Sequence, residues 1–516
     1  MSAGIIQLVS HGEQDLFLTR DPQITFFKIV YRRHTNFAIE QIPQYFITTP
    51  DFGKKTTCTI SKRGDLVGKM HVVLTIPRIN PFYLDSVTID NITKFAWIKK
   101  LGYGIIHALE IEIGGKLIDR QYGEWMNIIS ELFGKNKNDD KMIGNVEELI
   151  SYTNGKDEYT LYIPLQFWFC RNSGWALPIV CLRYNEVKIT MELSTADKCY
   201  LLTPTHYMEL FNDVVNMKEF EYIEQNVNGV VASGKFISFD PIAKRLYYQK
   251  ISDNNFRSMT TSLLAYSDIT AEIFDNDSNS KYFIRGVDTN CVAIPKVNTN
   301  VVMNTPMYEQ VTNMKISNCF LLVDYYYIDS DERARFLNKK QDYLIEQVQY
   351  IQPQTIHGTN NLVNIDVTEP CKMLVWMVQQ NYLLNVNNND HFNYTDSYRY
   401  KNGTLVGKSL VVDETIKLNG IDRVNKRDYK YFNYLQPYGH VSKKLSEGIN
   451  VYSFGLMPEI EQPSGSCNMS QINDIQMDIS VKNIVNINNT GIVKGYAWVY
   501  NVLRIIDGLS GVVFIR

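Results

Sequence analysis

Hydrophobic residues along this 516-residue chain alternate with polar ones far more often than they recur at helical spacing. The stretch that organises the rest runs from Cys319 to Tyr350. Within it, Phe320 to Ile328 is rich in aromatic and β-branched residues, and Leu321, Val323, Tyr325 and Tyr327 fall on one face at the two-residue period of a strand. That face is expected to be buried. Asp329 followed three residues later by Glu332 is an N-cap signature, and Arg333, Arg335, Lys339 and Lys340 come after it, where a helix dipole favours cations. Tyr343 to Tyr350 reads extended again. The stretch predicts a strand, a short helical joint and a new strand, as expected where one β-unit hands over to another.

The same alternation, bounded by Gly, Pro or Asn, predicts strands at Thr56 to Ser61, Leu66 to Ile76, Leu109 to Ile113, Leu161 to Phe169 and Tyr184 to Leu193. Residues 1–23 read as a polar arm, and Ile24 to Ile39, rich in aromatics, is expected to open the first β-unit. Residues 123–151 are the one place before the joint with apolar residues at helical spacing, which predicts a loop carrying one or two helices. From 194 to 318 the pattern breaks into short strand-like pieces, Gly234 to Phe239, Arg245 to Ile251 and Tyr282 to Ile284, between turns rich in Asn, Asp and Ser. This segment reads as a large loop insertion. After the joint, strands are expected at Leu374 to Val378, Ser409 to Leu418, Val451 to Leu456, Ile475 to Val481 and Tyr496 to Ile506, with a loop at Asn385 to Asp390.

Two echoes recur in the same order at similar separation. Ile111 to Trp125 reads strand, Gly turn, Ile-Asp-Arg, then aromatics, and so does Ile416 to Tyr431. Ser173-Gly174 followed by Asn185 to Ile189 is matched by Ser464-Gly465 followed by Asn473 to Met477. A duplicated β-unit follows: arm 1–23, a first unit 24–335 with its insertion 194–318, and a second unit 340–516.

Composition agrees with an all-β chain, with 33 Tyr, 24 Phe and a hydrophobic content of 45%. A net charge of −3 with scattered Lys and Arg leaves no broad basic face for neutralising phosphates, so direct nucleic-acid binding is not expected. No apolar run approaches the ~18 residues of a membrane helix. Met1 to Asp15 lacks the basic and apolar regions of a secretion signal, which places the protein on the cytosolic side. The eight cysteines show no CxxC pairing and are read as reduced, buried thiols.

Candidate chemistry is thin. Gly407-Lys408-Ser409 resembles the end of a phosphate loop, but Gly403 is one residue too close and a strand-like run follows, so it reads as a turn. Residues 275–280 begin like a calcium loop without its Gly at the sixth position or its final Glu. His107 with Glu110 lies in a strand-like context, where a structural histidine is the simpler reading. No catalytic, cofactor-binding or metal-binding residue is expected. Among six Asn-X-Ser/Thr sites, Asn276, Asn393 and Asn402 fall in loop-like segments and are the candidates for glycosylation.

Four long blocks in order, Gln7 to Glu40, Pro164 to Ile189, Leu322 to Gln349 and Phe454 to Ile472, together with Asn501 to Phe514, resemble the major capsid proteins of nucleocytoplasmic large DNA viruses, the group of chlorella viruses, iridoviruses and mimivirus relatives. The resemblance implies two tandem eight-stranded jelly rolls, a double jelly roll with a few short helices and the loop insertion in the first. It also implies a homotrimeric, pseudo-hexagonal capsomer that tiles an icosahedral shell and is made late in infection. Its partners would be its own copies, neighbouring capsomers, minor capsid and penton proteins, and an internal viral membrane at the base; it would lie in the virion and be assembled in the host cytoplasm. Segment 194–318 does not match the compact members. The competing readings are a minor capsid or scaffold paralogue of the same fold, and a carbohydrate-binding or glycoside-cleaving β-sandwich, for which an exposed cleft with paired carboxylates would speak.

Overall fold

In the computed structural model the alternating segments pair into two sandwiches of one design. The structure describes residues 3–10, 12–84, 87–133, 138–214, 216–258, 280–296, 301–303, 309–401 and 404–514. The first sandwich uses β1 (Phe37–Gln44), β2 (Lys55–Thr59), β3 (Leu66–Ile76), β4 (Ile106–Ile113), β5 (Lys116–Tyr122), β6 (Tyr159–Pro164), β7 (Val187–Leu193) and β8 (Asn318–Ile328). They form the antiparallel sheets β1-β8-β3-β6 and β2-β7-β4-β5. The second uses β9 (Gln341–Ile356), β10 (Asn360–Asn364), β11 (Pro370–Gln380), β12 (Val411–Leu418), β13 (Ile421–Asp428), β14 (Ile449–Ser453), β15 (Ile475–Val481) and β16 (Gly491–Ile506). Its sheets are β9-β16-β11-β14 and β10-β15-β12-β13, the same order shifted by one unit. The result is a double jelly roll.

The echoes fall on equivalent elements. The β4–β5 turn is Gly114-Gly115 and the β12–β13 turn is Asn419-Gly420, and all four residues have φ between 50° and 76°. Two-residue hairpins that match strand twist need positive φ at both central positions, and Gly and Asn tolerate it. After each hairpin comes a helical segment: α1 (Gly123–Leu132) after β5, and residues 431–440 after β13. The second echo places β7 and β15 alike.

The joint forms as its pattern predicts. Leu321, Val323 and Tyr325 are fully buried and Tyr327 is half-buried. Asp329 caps α2 (Ser330–Asn338) by accepting from the Glu332 N–H at 2.9 Å. Because successive strands alternate in direction and α2 is short, β9 starts at the end where β8 stops. The N-terminus of β1 and the joint therefore share one end of the molecule. The connections 77–105, 123–158, 194–317 and 381–410 share the opposite, loop end.

Three segments depart from expectation. Residues 24–36 form no strand and are exposed; β1 starts at Phe37 because Phe37 pairs with Ile328, the last residue of β8, and earlier residues have no strand to pair with. Among their described residues, 123–151 hold three helices, Gly123–Leu132, Asp139–Met142 and Glu147–Ile150. The insertion is more than loops. Its strands Val292–Ala293, Ile284–Gly286, Tyr222–Val227, Val230–Asp240, Arg245–Lys250, His206–Glu209 and Val301–Val302 form, in that order, one antiparallel sheet. That sheet has its own core, including Met208, Ile223, Phe236, Leu246 and Tyr248.

A seam joins the rolls. From α1, Trp125, Ile128, Ile129 and Leu132 pack on Val348, Met373, Val375, Met377, Tyr496 and Trp498 of sheet β9-β16-β11-β14. The opposite face of that sheet, with Leu374, Trp376, Val378, Ala497 and Val499, fills the core of the second roll. Buried on both faces, β11 is a continuous apolar run from Met373 to Val378, and each large side chain it removes from water contributes about 2 kcal/mol. Charges are buried here too. Glu346 of β9 pairs with Lys372 of β11 and with Arg171 of the first roll at 2.6 Å, and the Lys372 ammonium sits 3.4 Å from the centre of the Trp498 ring. In the second core, Glu414 accepts a hydrogen bond from Trp376 Nε1 at 2.7 Å.

Removing one member of the buried triad leaves an uncompensated charge. Glu346→Gln should destabilise the protein by about 3 kcal/mol, whereas replacing Glu346, Lys372 and Arg171 together by Leu, Met and Met should be near neutral. Thermal unfolding of the two variants checks this. Burial raises the Glu414 carboxyl from 4.5 to about 8. Its folded form thus holds a proton that the unfolded chain releases, so its contribution is fully present below pH 4.5 and is lost as pH rises to about 8. Glu414→Gln should remove this loss. The variant should unfold at the parent's temperature near pH 4.5 and a few degrees higher at pH 8, in melts across that range.

Candidate assembly surfaces

The sequence motifs resolve into structure. Lys408 and Asp396 exchange backbone and side-chain hydrogen bonds, and β12 follows, so Gly407-Lys408-Ser409 lies in a turn pairing. His107 is exposed on β4, while Glu110 is held by Lys55 at 2.9 Å and Arg120 at 3.4 Å. Among the described residues no group of three or more His, Cys, Asp or Glu could hold a metal. All eight cysteines are free thiols, six of them buried. Burial pushes up the Cys58, Cys170 and Cys319 thiols, to about 11, 12 and 12.

Of the glycosylation candidates, Asn276 and Asn402 lie outside the described residues. Asn393 is enclosed in the structure. It is fully buried, its Nδ2 donates to Asp390 and to the Ser397 carbonyl at 2.9 Å each, and its Oδ1 accepts from Thr395. That nitrogen is engaged by two hydrogen bonds in the folded chain. The tripeptide pattern shows only that an Asn, a spacer and a Thr occur together; the hydrogen bonds around them are local, and the burial of the loop is what the pattern does not carry.

What remains is surface built for packing. The exposed segment 24–36, which continues the arm up to β1, presents Phe26 and Phe27, 90% and 98% accessible, with Ile29, Val30 and Tyr31. Lys28, Arg32 and Arg33 are interleaved with them. It leaves the joint end of the molecule. Exposed apolar runs of this length on a folded protein mark contact sites.

Two further surfaces mirror the seam. Residues 431–440 anchor Phe432 in the second core, edge-to-face on Trp376 at 5.2 Å, as Met126 of α1 is anchored in the first. Their other side leaves Leu435 56% and Tyr438 89% accessible. The outer face of sheet β1-β8-β3-β6, equivalent to the seam face of the second roll, carries Ile39 beside Tyr326, Pro43 beside Leu322 and His71, and Phe320 beside Val73 and Tyr162. Of these, Ile39 and Tyr162 are exposed, and Phe320, Leu322 and Tyr326 are half-buried. Sequence reasoning found α1 but not these surfaces. The signal was available in the first echo, whose two halves both end in a helix-length aromatic segment.

A family model of the major capsid protein N-terminus matches residues 25–233, and one of the large eukaryotic DNA virus major capsid protein matches residues 332–511. The chain is 42% identical to probable capsid protein 4 of Acanthamoeba polyphaga mimivirus, over all of this chain and 99% of the relative. It is 29% identical to the major capsid protein of Phaeocystis pouchetii virus over the whole of both. In fold it is similar to the PBCV-1 virus capsid, with a TM-score of 0.60 and 21% identity over 95% of this chain and all of that one. It is also similar to the Faustovirus major capsid protein, with a TM-score of 0.64 and 11% identity over 96% and 94%. With two jelly rolls of one strand order, a seam that buries a sheet on both faces, and these relatives, the chain belongs to the major capsid proteins of large eukaryotic DNA viruses and is a structural subunit of the capsid.

Proposed function

We propose that the subunit closes into a homotrimer by repeating its internal seam between copies. Within one chain, α1 of the first roll covers the outer sheet face of the second. Between chains, residues 431–440 of the second roll cover the outer face of β1-β8-β3-β6 on the next copy. The observation that carries this reading is the pairing of an uncovered helical segment with an uncovered sheet face at the positions equivalent to those joined in the seam. A heterologous contact of this kind closes into a ring, and three chains of two rolls make six near-equivalent edges. A pseudo-hexagonal block of that shape suits side-by-side tiling, and no catalytic role is assigned to it.

The ends take different roles in this reading. The arm and the joint face inward. Aromatic and aliphatic residues interleaved with Lys28, Arg32 and Arg33 suit the anionic surface of an internal membrane or an apolar groove of a minor capsid or penton protein. The insertion faces outward as a tower. Assembly takes place in the host cytoplasm, in keeping with eight free thiols.

Light scattering on the purified protein should give a mass near three times 59.7 kDa. Tyr438→Asp with Leu435→Asp should yield a folded monomer, while Ile242→Asp, at a position 95% accessible on the insertion, should leave the trimer intact. Trimers of the double variant at normal yield would contradict the repeated seam. Deleting residues 3–33 should also spare the trimer but abolish co-sedimentation with anionic lipid vesicles; undiminished co-sedimentation would rule out the arm as the lipid contact.

A further inference from the structure

At the loop end, where the insertion meets both rolls, lies a cleft of about 460 Å³. That volume is in the range of small-molecule sites. Four connections build it. Lys99 follows the short strand Lys94–Trp97, Tyr152 comes from segment 123–158, Lys235 from the insertion strand Val230–Asp240, and Asn389, Asp390 and Tyr400 from segment 381–410.

The walls are held by their own contacts. Tyr152 stacks on Phe220 at 5.4 Å and donates to Gln249 at 2.9 Å. Tyr400 Oη donates to one Asp390 oxygen at 2.8 Å, and Asn393 donates to the other at 2.9 Å. Asn389 Nδ2 donates to the carbonyls of Asp197 and Tyr200 at 2.7 and 2.8 Å.

The two lysines have nothing comparable. The Lys235 ammonium lies 4.4 Å from the centre of the Tyr152 ring and 5.6 Å from that of Tyr222, and Lys99 lies over the Tyr400 ring. Among the described residues neither ammonium has a hydrogen bond or an ion pair. Burial lowers Lys99 to about 7 and Lys235 to about 8, and Lys235 and Lys100 push Lys99 down further. Asp390 and Glu147 pull both lysines back up, but only in part. Two poorly solvated, half-buried cations facing one cleft, each set against an aromatic ring, are a site short of an acceptor.

We propose that this cleft binds a small phosphate- or sulfate-bearing anion between Lys99 and Lys235. The tyrosine rings flank the anion, and lysine suits it as a point-charge partner. Binding would tie the insertion to both rolls, since each contributes a wall.

Calorimetry and thermal melts with the whole protein test this. Sulfate and inorganic phosphate should raise the unfolding temperature where chloride at equal ionic strength does not. Glucose 6-phosphate compared with glucose tells a carried phosphate from a free ion: binding of either phosphate form supports the site, and equal binding of glucose overturns it. Lys99→Met and Lys235→Met remove a half-buried, unpaired charge, so each variant should melt no lower than the parent without ligand, and each should weaken sulfate about tenfold or more. A sulfate response that persists in the double variant, or one that chloride reproduces, would overturn the proposal.

Discussion

Everything in this molecule hangs on a sheet that is buried twice. Sheet β9-β16-β11-β14 fills its own sandwich with one face and takes α1 of the other roll on the second. A sandwich normally needs water on its outer face, which gives each strand the alternation of a two-sided surface. Here that freedom is gone, and β11 reads as an unbroken apolar run from Met373 to Val378. The second roll is therefore the less self-sufficient of the two, because its outer face is complete only with the first roll in place.

Polar groups inside that arrangement give it direction. Arg171, Glu346 and Lys372 come from both rolls and can satisfy one another only in one relative placement. Buried ion sets of this kind add little net stability, but they penalise wrong registers heavily. Burial pulls Lys372 down against the pull of Glu346 and raises Glu414 to about 8, so desolvation works against charge on both sides of this sheet.

Much of this was legible in the sequence, and the limits have physical causes. The Leu321, Val323 and Tyr325 face and the Asp329 cap were readable because both rest on local period and local hydrogen bonding. The duplication was readable because both hairpins need Gly or Asn at positive φ. Residues 24–36 were misjudged as strand because aromatic content makes a strand only where another strand offers an edge, and β8 stops at Ile328. The insertion's sheet was underestimated although Asn228-Gly229 between two β-rich runs is a hairpin signal. The cleft around Lys99 and Lys235 was invisible, since its walls come from four connections far apart in the chain. The uncovered faces were equally hidden, because alternation shows that a face is apolar and not what lies against it.

The central claim is that one interface is used twice, once within the chain and once between chains. A cryo-electron-microscopy reconstruction of the purified oligomer tests it most directly. The account predicts a closed ring of three chains in which successive rolls are related by rotations of about 60°, with residues 431–440 lying on the β1-β8-β3-β6 face of the next copy as α1 lies on β9-β16-β11-β14. A ring joined through other surfaces, with Leu435 and Tyr438 still facing solvent, would contradict it.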